Sequence, residues 1–108
     1  LPGSHEFPGG KLREGESPEA GAIRECLEET GLPVEPVSRL WECRHEYPHG
    51  VVDLFFVLCR PAGPVIERPL GAFSWIEAAA LAGLTFPEAN RPVVDALVHG
   101  ATAEARPC

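Results

Sequence analysis

The chain has 108 residues, of which 44% are hydrophobic and 23% charged, so it can form one domain with a modest core and is too short for two. Its formal net charge of −7 excludes the basic surface that binding to a nucleic acid polymer requires. The sequence contains no apolar run long enough to cross a membrane, and its four cysteines lack the C-x-x-C spacing of a zinc site, so we expect a cytoplasmic protein with reduced thiols.

The first ten residues, LPGSHEFPGG, are rich in turn formers and end at two adjacent glycines, Gly9 and Gly10. Glycine lets backbone carbonyl groups approach a ligand closely because no side chain stands in the way. We therefore predict the end of a strand followed by a loop that contacts a ligand.

A helix is predicted over residues 18–30 because both of its ends carry clear signals. Ser17 is a favourable N-cap, and Pro18 suits the first helical position. Gly31 suits the left-handed residue that commonly follows the last turn.

Three acidic residues of this helix, Glu25, Glu28 and Glu29, converge on one side because they are spaced i, i+3 and i+4. Two of them lie in the last turn, where the helix dipole disfavours negative charge, so they do not serve helix stability. Convergent carboxylates are ligands that Mg²⁺ and Mn²⁺ prefer. The alternative is a solvated acidic face, which is the more common meaning of such spacing alone.

The wider pattern around these glutamates resembles the Nudix hydrolase signature. The matching positions are Gly10, Glu16, Arg24, Glu25, Glu28, Glu29, Gly31 and Leu32. Cys26 stands where the pattern usually has a bulky aliphatic residue, and a buried cysteine keeps that role with less volume. The segment EFPGGK narrows the resemblance to MutT-like enzymes, and the similarity extends from His5 to about Leu97.

The resemblance implies a site that holds a divalent metal ion, Mg²⁺ or Mn²⁺, with residues from the loop and the helix. Its metal ligands would be the carbonyl of Gly9 and the side chains of Glu25, Glu28 and Glu29. The catalytic set would be Glu16, Arg24, Glu25 and Glu28, in which Arg24 orients Glu25, Glu16 supports the site, and one of the glutamates positions or deprotonates the attacking water.

The implied fold is α/β, a Nudix-like α/β/α sandwich with a mixed β-sheet. The implied reaction cleaves a nucleoside triphosphate to the monophosphate and pyrophosphate, with oxidised guanine nucleotides such as 8-oxo-dGTP as the leading substrate. Pyrimidine triphosphates or other nucleoside diphosphate derivatives are alternatives, and so is a non-catalytic recognition module. We expect neither a nucleic acid polymer nor a membrane as partner, and the oligomeric state stays open.

The segment after the helix predicts a β-hairpin. From Val37 to Tyr47 apolar and charged residues alternate, so one face of this strand is expected to be buried. After a turn at residues 48–50, residues 51–58 form a nearly continuous apolar run, which is typical of a strand covered on both faces. Asp53 is the lone charge in that run and fits either a sheet edge or a hydrogen bond inside a pocket.

The resemblance further implies that the chain begins late, because Nudix domains place one or more strands before the glycine loop. We therefore expect a Nudix domain over residues 1–100 that lacks its N-terminal strand or strands and exposes apolar surface along residues 51–58. Residues 101–108 are a polar tail that we expect to be disordered.

Short elements are predicted in the C-terminal half: strands over 65–68 and 72–76, a helix over 77–84, and a last helix over 91–99. MutT-like proteins often carry a further metal ligand at a position that falls on Pro69 here. The nearest acid is Glu67, so a fourth carboxylate ligand stays open.

Three further residues are candidates for substrate binding. Asn90, in the segment FPEANRP, suits the N-cap of the last helix, and its amide also offers a donor and an acceptor that match a purine edge. The similarity of this segment to MutT-like proteins implies that it reads the base. Phe7 fits a base pocket or the core equally well, and Lys11 fits a phosphate contact or a solvated lysine.

Overall fold

The computed structural model describes residues 3–100 and the backbone of residues 106–107. The elements are α1 (Pro18–Thr30), β1 (Val34–Tyr47), β2 (Gly50–Pro61), two 3₁₀ helices (Ala78–Gly83 and Glu88–Asn90), α2 (Arg91–Val98) and β3 (Arg106–Pro107). Of the expected disordered tail, residues 106–107 form β3, whereas residues 101–105 and 108 lie outside the described residues and their disorder stays a prediction.

β1 lies between the other two strands of the sheet. β2 follows it after a tight turn and pairs with it in antiparallel fashion, whereas β3 pairs with it in parallel. In this parallel register Trp41 is opposite Arg106, and Glu42 is opposite Pro107. The mixed α/β architecture is therefore confirmed, and the three-layer sandwich stays a prediction.

β1 begins at Val34, earlier than expected, and includes Pro36. The fixed φ of proline is compatible with extended backbone near the start of a strand, so Pro36 does not interrupt it. Farther along, Arg44 and Glu46 are exposed while the residues beside them are half-buried. The predicted alternation is thus present in this part of the strand.

β2 is more exposed than its sequence suggests. Val51, Val52 and Phe55 expose 58%, 37% and 38% of their surface. β2 is an outer strand of the sheet formed by the described residues, so a strand covers only one of its edges there. Because these side chains are exposed, the prediction of burial on both faces is wrong. The apolar exposure expected along residues 51–58 is present at Val51, Val52 and Phe55, while the other apolar residues of this range are half-buried.

Asp53 lies on this exposed strand and pairs across the hairpin. Arg44 Nε donates a hydrogen bond of 2.9 Å to Asp53 Oδ1, and both side chains are exposed. This bond lowers the pKa of Asp53 and raises that of Arg44. Of the two alternatives left open, the surface position at the sheet is the observed one.

Residues 62–77 are irregular rather than forming the two predicted strands. Pro69 lacks a backbone donor, and Gly71 has a left-handed φ of 64°, so neither continues a strand ladder. The backbone bonds to the helix end instead, since the Leu70 N–H donates to the Thr30 carbonyl at 2.8 Å. The strand predictions for 65–68 and 72–76 are therefore wrong.

Backbone contacts divide the chain into two compact units. The first contains Arg39–Phe56 together with the described residues before Phe7 and from Ile76 onward. Its α2 packs against both 3₁₀ helices. The predicted helix over 77–84 is the tighter 3₁₀ helix, and the last helix is confirmed. The buried hydrophobic side chains of this unit are Leu40, Leu81, Phe86, Val93 and Val94.

The second unit contains Phe7–Ser38 and Val57–Trp75. Cys26 and Cys59 lie in it as half-buried free thiols. Burial, and secondarily the charge of Cys26, raises the pKa of Cys59. In the first unit Cys43 is disulfide-bonded, so the expectation of reduced thiols throughout is wrong at that position.

Candidate active site

α1 carries the acidic residues of the candidate site, and both of its predicted ends are observed. Ser17 Oγ accepts a hydrogen bond of 3.1 Å from the Ala20 N–H, and Pro18 occupies the first turn. At the other end Gly31 adopts φ 74° and donates to the Leu27 carbonyl at 2.9 Å. These caps set the helix boundaries and thereby the directions of its side chains.

The last turn of α1 is held by the buried hydroxyl of Thr30, which is 2% exposed. Thr30 Oγ1 donates to the Cys26 carbonyl at 2.6 Å and accepts from the Leu32 N–H at 3.2 Å. These bonds secure the part of the helix in which the acidic residues are least favourable.

The glycine loop lies directly against the acidic side of α1. A Cβ added at Gly10 would stand 2.8 Å from the Glu25 carboxylate, so a side chain at this position would displace it. The Gly9 N–H donates a hydrogen bond of 2.8 Å to Glu29 Oε1. The loop glycines thus serve a close approach between loop backbone and helix carboxylates.

A further glycine, Gly21, holds the loop against the helix, and the sequence analysis missed it. A Cβ at Gly21 would overlap the side chain of Leu12. The available signal was the glycine itself, because glycine inside a helix costs about 1 kcal/mol relative to alanine and calls for a packing reason.

Arg24 connects the loop to the acidic side of the helix. It binds Glu16 in a bidentate manner, with Nε to Oε2 at 2.7 Å and Nη2 to Oε1 at 2.8 Å. Its Nη1 donates to Glu25 Oε1 at 2.7 Å and to Glu28 Oε2 at 3.3 Å. Nη2 also reaches the Lys11 carbonyl at 3.1 Å. The structure therefore brings together four of the predicted residues around one guanidinium.

The ion pair at the centre of this network joins Arg24 to Glu16, and it shifts the pKa values of both groups. The Arg24 side chain is only 15% exposed, and that of Glu16 is 13% exposed. The bonds from Arg24, and next the bond from the Arg13 N–H, lower the pKa of Glu16 to about 2. Glu16 and Glu25 together raise the pKa of Arg24 above its ordinary value. Both groups are charged throughout the physiological range.

This pKa shift predicts an acid dependence of stability. Because the folded pKa of Glu16 is about 2 and its ordinary value is 4.5, the unfolded chain takes up this proton first as the pH falls. The stabilisation by Glu16 is complete above pH 4.5 and is lost between 4.5 and 2.

We therefore expect Glu16→Gln to melt at a lower temperature than the parent at about pH 6, and this difference to shrink by about pH 3. Thermal melts of both proteins at the two pH values measure it. A difference in melting temperature that does not change with pH would contradict the assignment.

Glu28 is the most exposed acid of the network, with half of its side chain accessible. Besides Arg24, it contacts Arg13, whose Nη2 lies 3.3 Å from Glu28 Oε1. The backbone N–H of Arg13 donates to Glu16 Oε1 at 2.9 Å. Arg13 could not be singled out from the sequence, because it is one of the five unspecified positions that separate Gly10 from Glu16 in the signature.

The donor set suits a hard divalent cation, since it consists of carboxylate and carbonyl oxygens. Gly10 leaves space beside Glu25 that any side chain would fill. Among the described residues, however, no group of three acidic, histidine or cysteine side chains already converges as a metal site. Glu25 and Glu28 face Arg24, and Glu29 accepts from Gly9.

The other predicted residues have different surroundings. Phe7 is half-buried at the start of the second unit, and Lys11 has an exposed side chain. Glu67 is exposed within the irregular segment. Asn90 belongs to the first unit, where it ends a 3₁₀ helix and makes no side-chain cap bond to α2. Asn90 therefore occupies the predicted N-cap position of α2, but its side chain does not cap the helix.

Comparison with known protein families identifies the family of this chain. A family model of the NUDIX domain matches residues 1–97. The chain belongs to the Nudix hydrolase family. Nudix hydrolases act on phosphoric anhydride bonds of nucleoside diphosphate derivatives and typically use a divalent metal ion. Every helix in the described part of this Nudix chain is too short or too polar to cross a membrane.

Proteins similar to this chain include 8-oxo-dGTP diphosphatases and a MutT-like protein. An 8-oxo-dGTP diphosphatase of Escherichia coli K12 is 34% identical over 90 residues, which are 82% of this chain and 70% of the relative. An 8-oxo-dGTP diphosphatase of Haemophilus influenzae is 34% identical over 100 residues, covering 89% of this chain and 71% of the relative. A MutT-like protein of Streptomyces ambofaciens is 43% identical over 77 residues, which are 68% of this chain and 48% of the relative.

Proposed function

We propose that this protein is a Mg²⁺-dependent nucleoside triphosphate pyrophosphohydrolase that acts on oxidised guanine nucleotides such as 8-oxo-dGTP and so cleanses the nucleotide pool. The observation that carries the proposal is the close approach of the glycine loop to the carboxylates of α1. The similarity to proteins named 8-oxo-dGTP diphosphatase supports the choice of substrate.

In this proposal the metal is held by Glu25, Glu28, Glu29 and the carbonyl of Gly9. A divalent cation bound there supplies positive charge to the crowded phosphate oxygens and activates a water molecule for attack. Mg²⁺ fits because the donors are hard oxygens, and Mn²⁺ is compatible with the same set.

The residues of the chain then have separate tasks. Arg24 engages Glu25 through Oε1 only, which leaves Oε2 as an acceptor not used by Arg24. We assign one of Glu25 and Glu28 to accept the proton of the attacking water. The water oxygen bonds to phosphorus, the bridging P–O bond breaks, and pyrophosphate leaves with its electron pair. Glu16 keeps Arg24 in place by the bidentate bond.

Base recognition is assigned to Asn90 and Phe7. Since the Asn90 amide makes no cap bond to α2, the helix does not account for this side chain. An amide presents a donor and an acceptor together, as an oxidised purine edge does. Phe7 offers an aromatic face for stacking against a base, and Lys11 offers positive charge to phosphate.

A panel of nucleotides tests the function. The purified chain is incubated with Mg²⁺ and 8-oxo-dGTP, dGTP, dCTP, dUTP or a nucleoside diphosphate derivative, and pyrophosphate and orthophosphate are measured separately. We expect pyrophosphate release with kcat/KM for 8-oxo-dGTP on the order of 100-fold above that for dGTP, and no turnover after chelation of the metal.

Two results of this panel would contradict the proposal. A preference for dCTP, dUTP or a nucleoside diphosphate derivative would keep the reaction class and change the substrate. Binding of nucleotides without any hydrolysis would indicate a recognition module instead.

A further inference from the structure

Glu28 lies between two guanidinium groups, one at each of its carboxylate oxygens. Arg24 Nη1 is 3.3 Å from Oε2, and Arg13 Nη2 is 3.3 Å from Oε1. Glu28 is also one of the proposed metal ligands. A divalent cation that binds its carboxylate therefore competes with at least one of these arginines, because all three positive groups seek the same oxygens.

The two arginines are held very differently. Arg24 is 15% exposed and is fixed by Glu16, Glu25 and the Lys11 carbonyl in addition to Glu28. The Arg13 side chain is 66% exposed, and its bond to Glu28 is a single contact at the long end of the hydrogen-bond range. A cation therefore breaks fewer hydrogen bonds when it displaces Arg13 than when it displaces Arg24.

The main chain of Arg13 has a hydrogen bond of its own that does not involve the side chain. Its N–H donates to Glu16 Oε1, the same oxygen that Arg24 Nη2 binds. The root of the Arg13 side chain is thus anchored to the most strongly held ion pair of the site. A released guanidinium remains beside the carboxylates rather than moving away with the loop.

We propose that Arg13 is a displaceable counterion of Glu28 that moves to the phosphate chain of the substrate once Glu28 takes up the metal. The proposal rests on the function proposed above. The planar donors of a guanidinium match phosphate oxygens in a bidentate manner, so a free Arg13 has a partner when the phosphates arrive. Arg13 would then pair with Glu28 while the site holds no metal ion, and would bind the substrate phosphates once metal and nucleotide are present.

Removing Arg13 should consequently act in opposite directions on the two ligands. The nucleotide-free protein should bind a divalent cation more tightly, because a competitor for Glu28 is gone. The nucleotide should bind more weakly, because a phosphate contact is gone. A purely structural role for Arg13 predicts no such opposition.

The experiment compares Arg13→Gln and Arg13→Lys with the parent and with Arg60→Gln as a matched control. Arg60 is also an exposed arginine of the second unit with one acidic partner, Glu35. Mn²⁺ binding to the nucleotide-free protein is measured by electron paramagnetic resonance. KM and kcat are measured with the best nucleotide substrate of the parent.

For Arg13→Gln we expect the Kd for Mn²⁺ to fall about threefold or more, KM to rise about tenfold, and kcat to change by less than about threefold. Arg13→Lys keeps the charge without the bidentate geometry, so we expect an intermediate KM. Arg60→Gln should match the parent in both measurements.

The inference is overturned if either half fails in Arg13→Gln: Mn²⁺ binding that is unchanged or weaker, or a KM within about twofold of the parent. A failure of the proposed function is distinguishable, because it shows in the parent as a missing or different substrate preference. The Mn²⁺ measurement needs no turnover and decides the counterion role in that case as well.

Discussion

Glu28→Gln and Glu29→Gln are each expected to lower kcat/KM by about 100-fold or more, which corresponds to about 2.7 kcal/mol of lost transition-state stabilisation. In both variants a charged ligand of the proposed metal site becomes a neutral amide. The carboxylate charge is what holds a hard cation, so the loss should appear in activity and in Mn²⁺ affinity together.

The same variants should fold as well as the parent. Glutamine and glutamate have similar helix propensities, and both positions lie near the C-terminal end of α1, where negative charge is unfavourable. In Glu29→Gln the amide oxygen can still accept the hydrogen bond from Gly9. We expect melting temperatures within about 2 °C of the parent, measured by circular dichroism.

Glu14→Gln is the matched control. Glu14 is an exposed acid of the loop before α1, and we assign no function to it. Its activity should be close to that of the parent. If either Glu28→Gln or Glu29→Gln kept kcat/KM within about threefold of the parent, the metal-site assignment would be wrong.

Asn90→Ser is expected to lower kcat/KM for 8-oxo-dGTP by about 30- to 150-fold, or on the order of 2–3 kcal/mol. Serine has only one hydroxyl in place of an amide donor and acceptor, so polar groups of the oxidised base are left unpaired. Turnover of dCTP, whose base lacks that edge, should barely change. The measurement is the ratio of kcat/KM for 8-oxo-dGTP to those for dGTP and dCTP.

Thermal stability checks that a loss of activity in this variant does not come from misfolding. Because the Asn90 side chain makes no cap bond to α2, its replacement by serine should leave the melting temperature nearly unchanged. Glu88→Gln, in the same 3₁₀ helix, is the control for local disturbance. Unchanged discrimination between 8-oxo-dGTP and dGTP in Asn90→Ser would remove the oxidised-guanine assignment and leave a less selective pyrophosphohydrolase.

The sequence by itself determined α1 and the grouping of its acids. Both helix ends depend on short-range interactions, namely the Ser17 cap and the left-handed Gly31, and the structure has them at the predicted residues. The common face of Glu25, Glu28 and Glu29 follows from helical geometry alone. The hairpin was predictable for the same reason, since its alternation and turn are local features.

Only the tertiary structure decided the contacts between residues far apart in the chain. Residues 65–68 and 72–76 form no strand, and the Leu70 N–H between them donates to the end of α1, because an irregular segment can satisfy its backbone on a nearby carbonyl. The exposure of β2 depends on what packs against the faces of the sheet, and its apolar composition does not contain that information. The disulfide bond of Cys43 likewise depends on proximity that spacing does not reveal.

The site shows the same division. Its acidic residues could be read from the sequence, whereas the contact of Arg13 with Glu28 and the absence of a cap bond from Asn90 could not. Both depend on side-chain conformation, and an exposed arginine or a half-buried asparagine is compatible with many conformations. Helix periodicity sets which side of α1 is acidic, and the packing of the loop against that side decides which partners each carboxylate has.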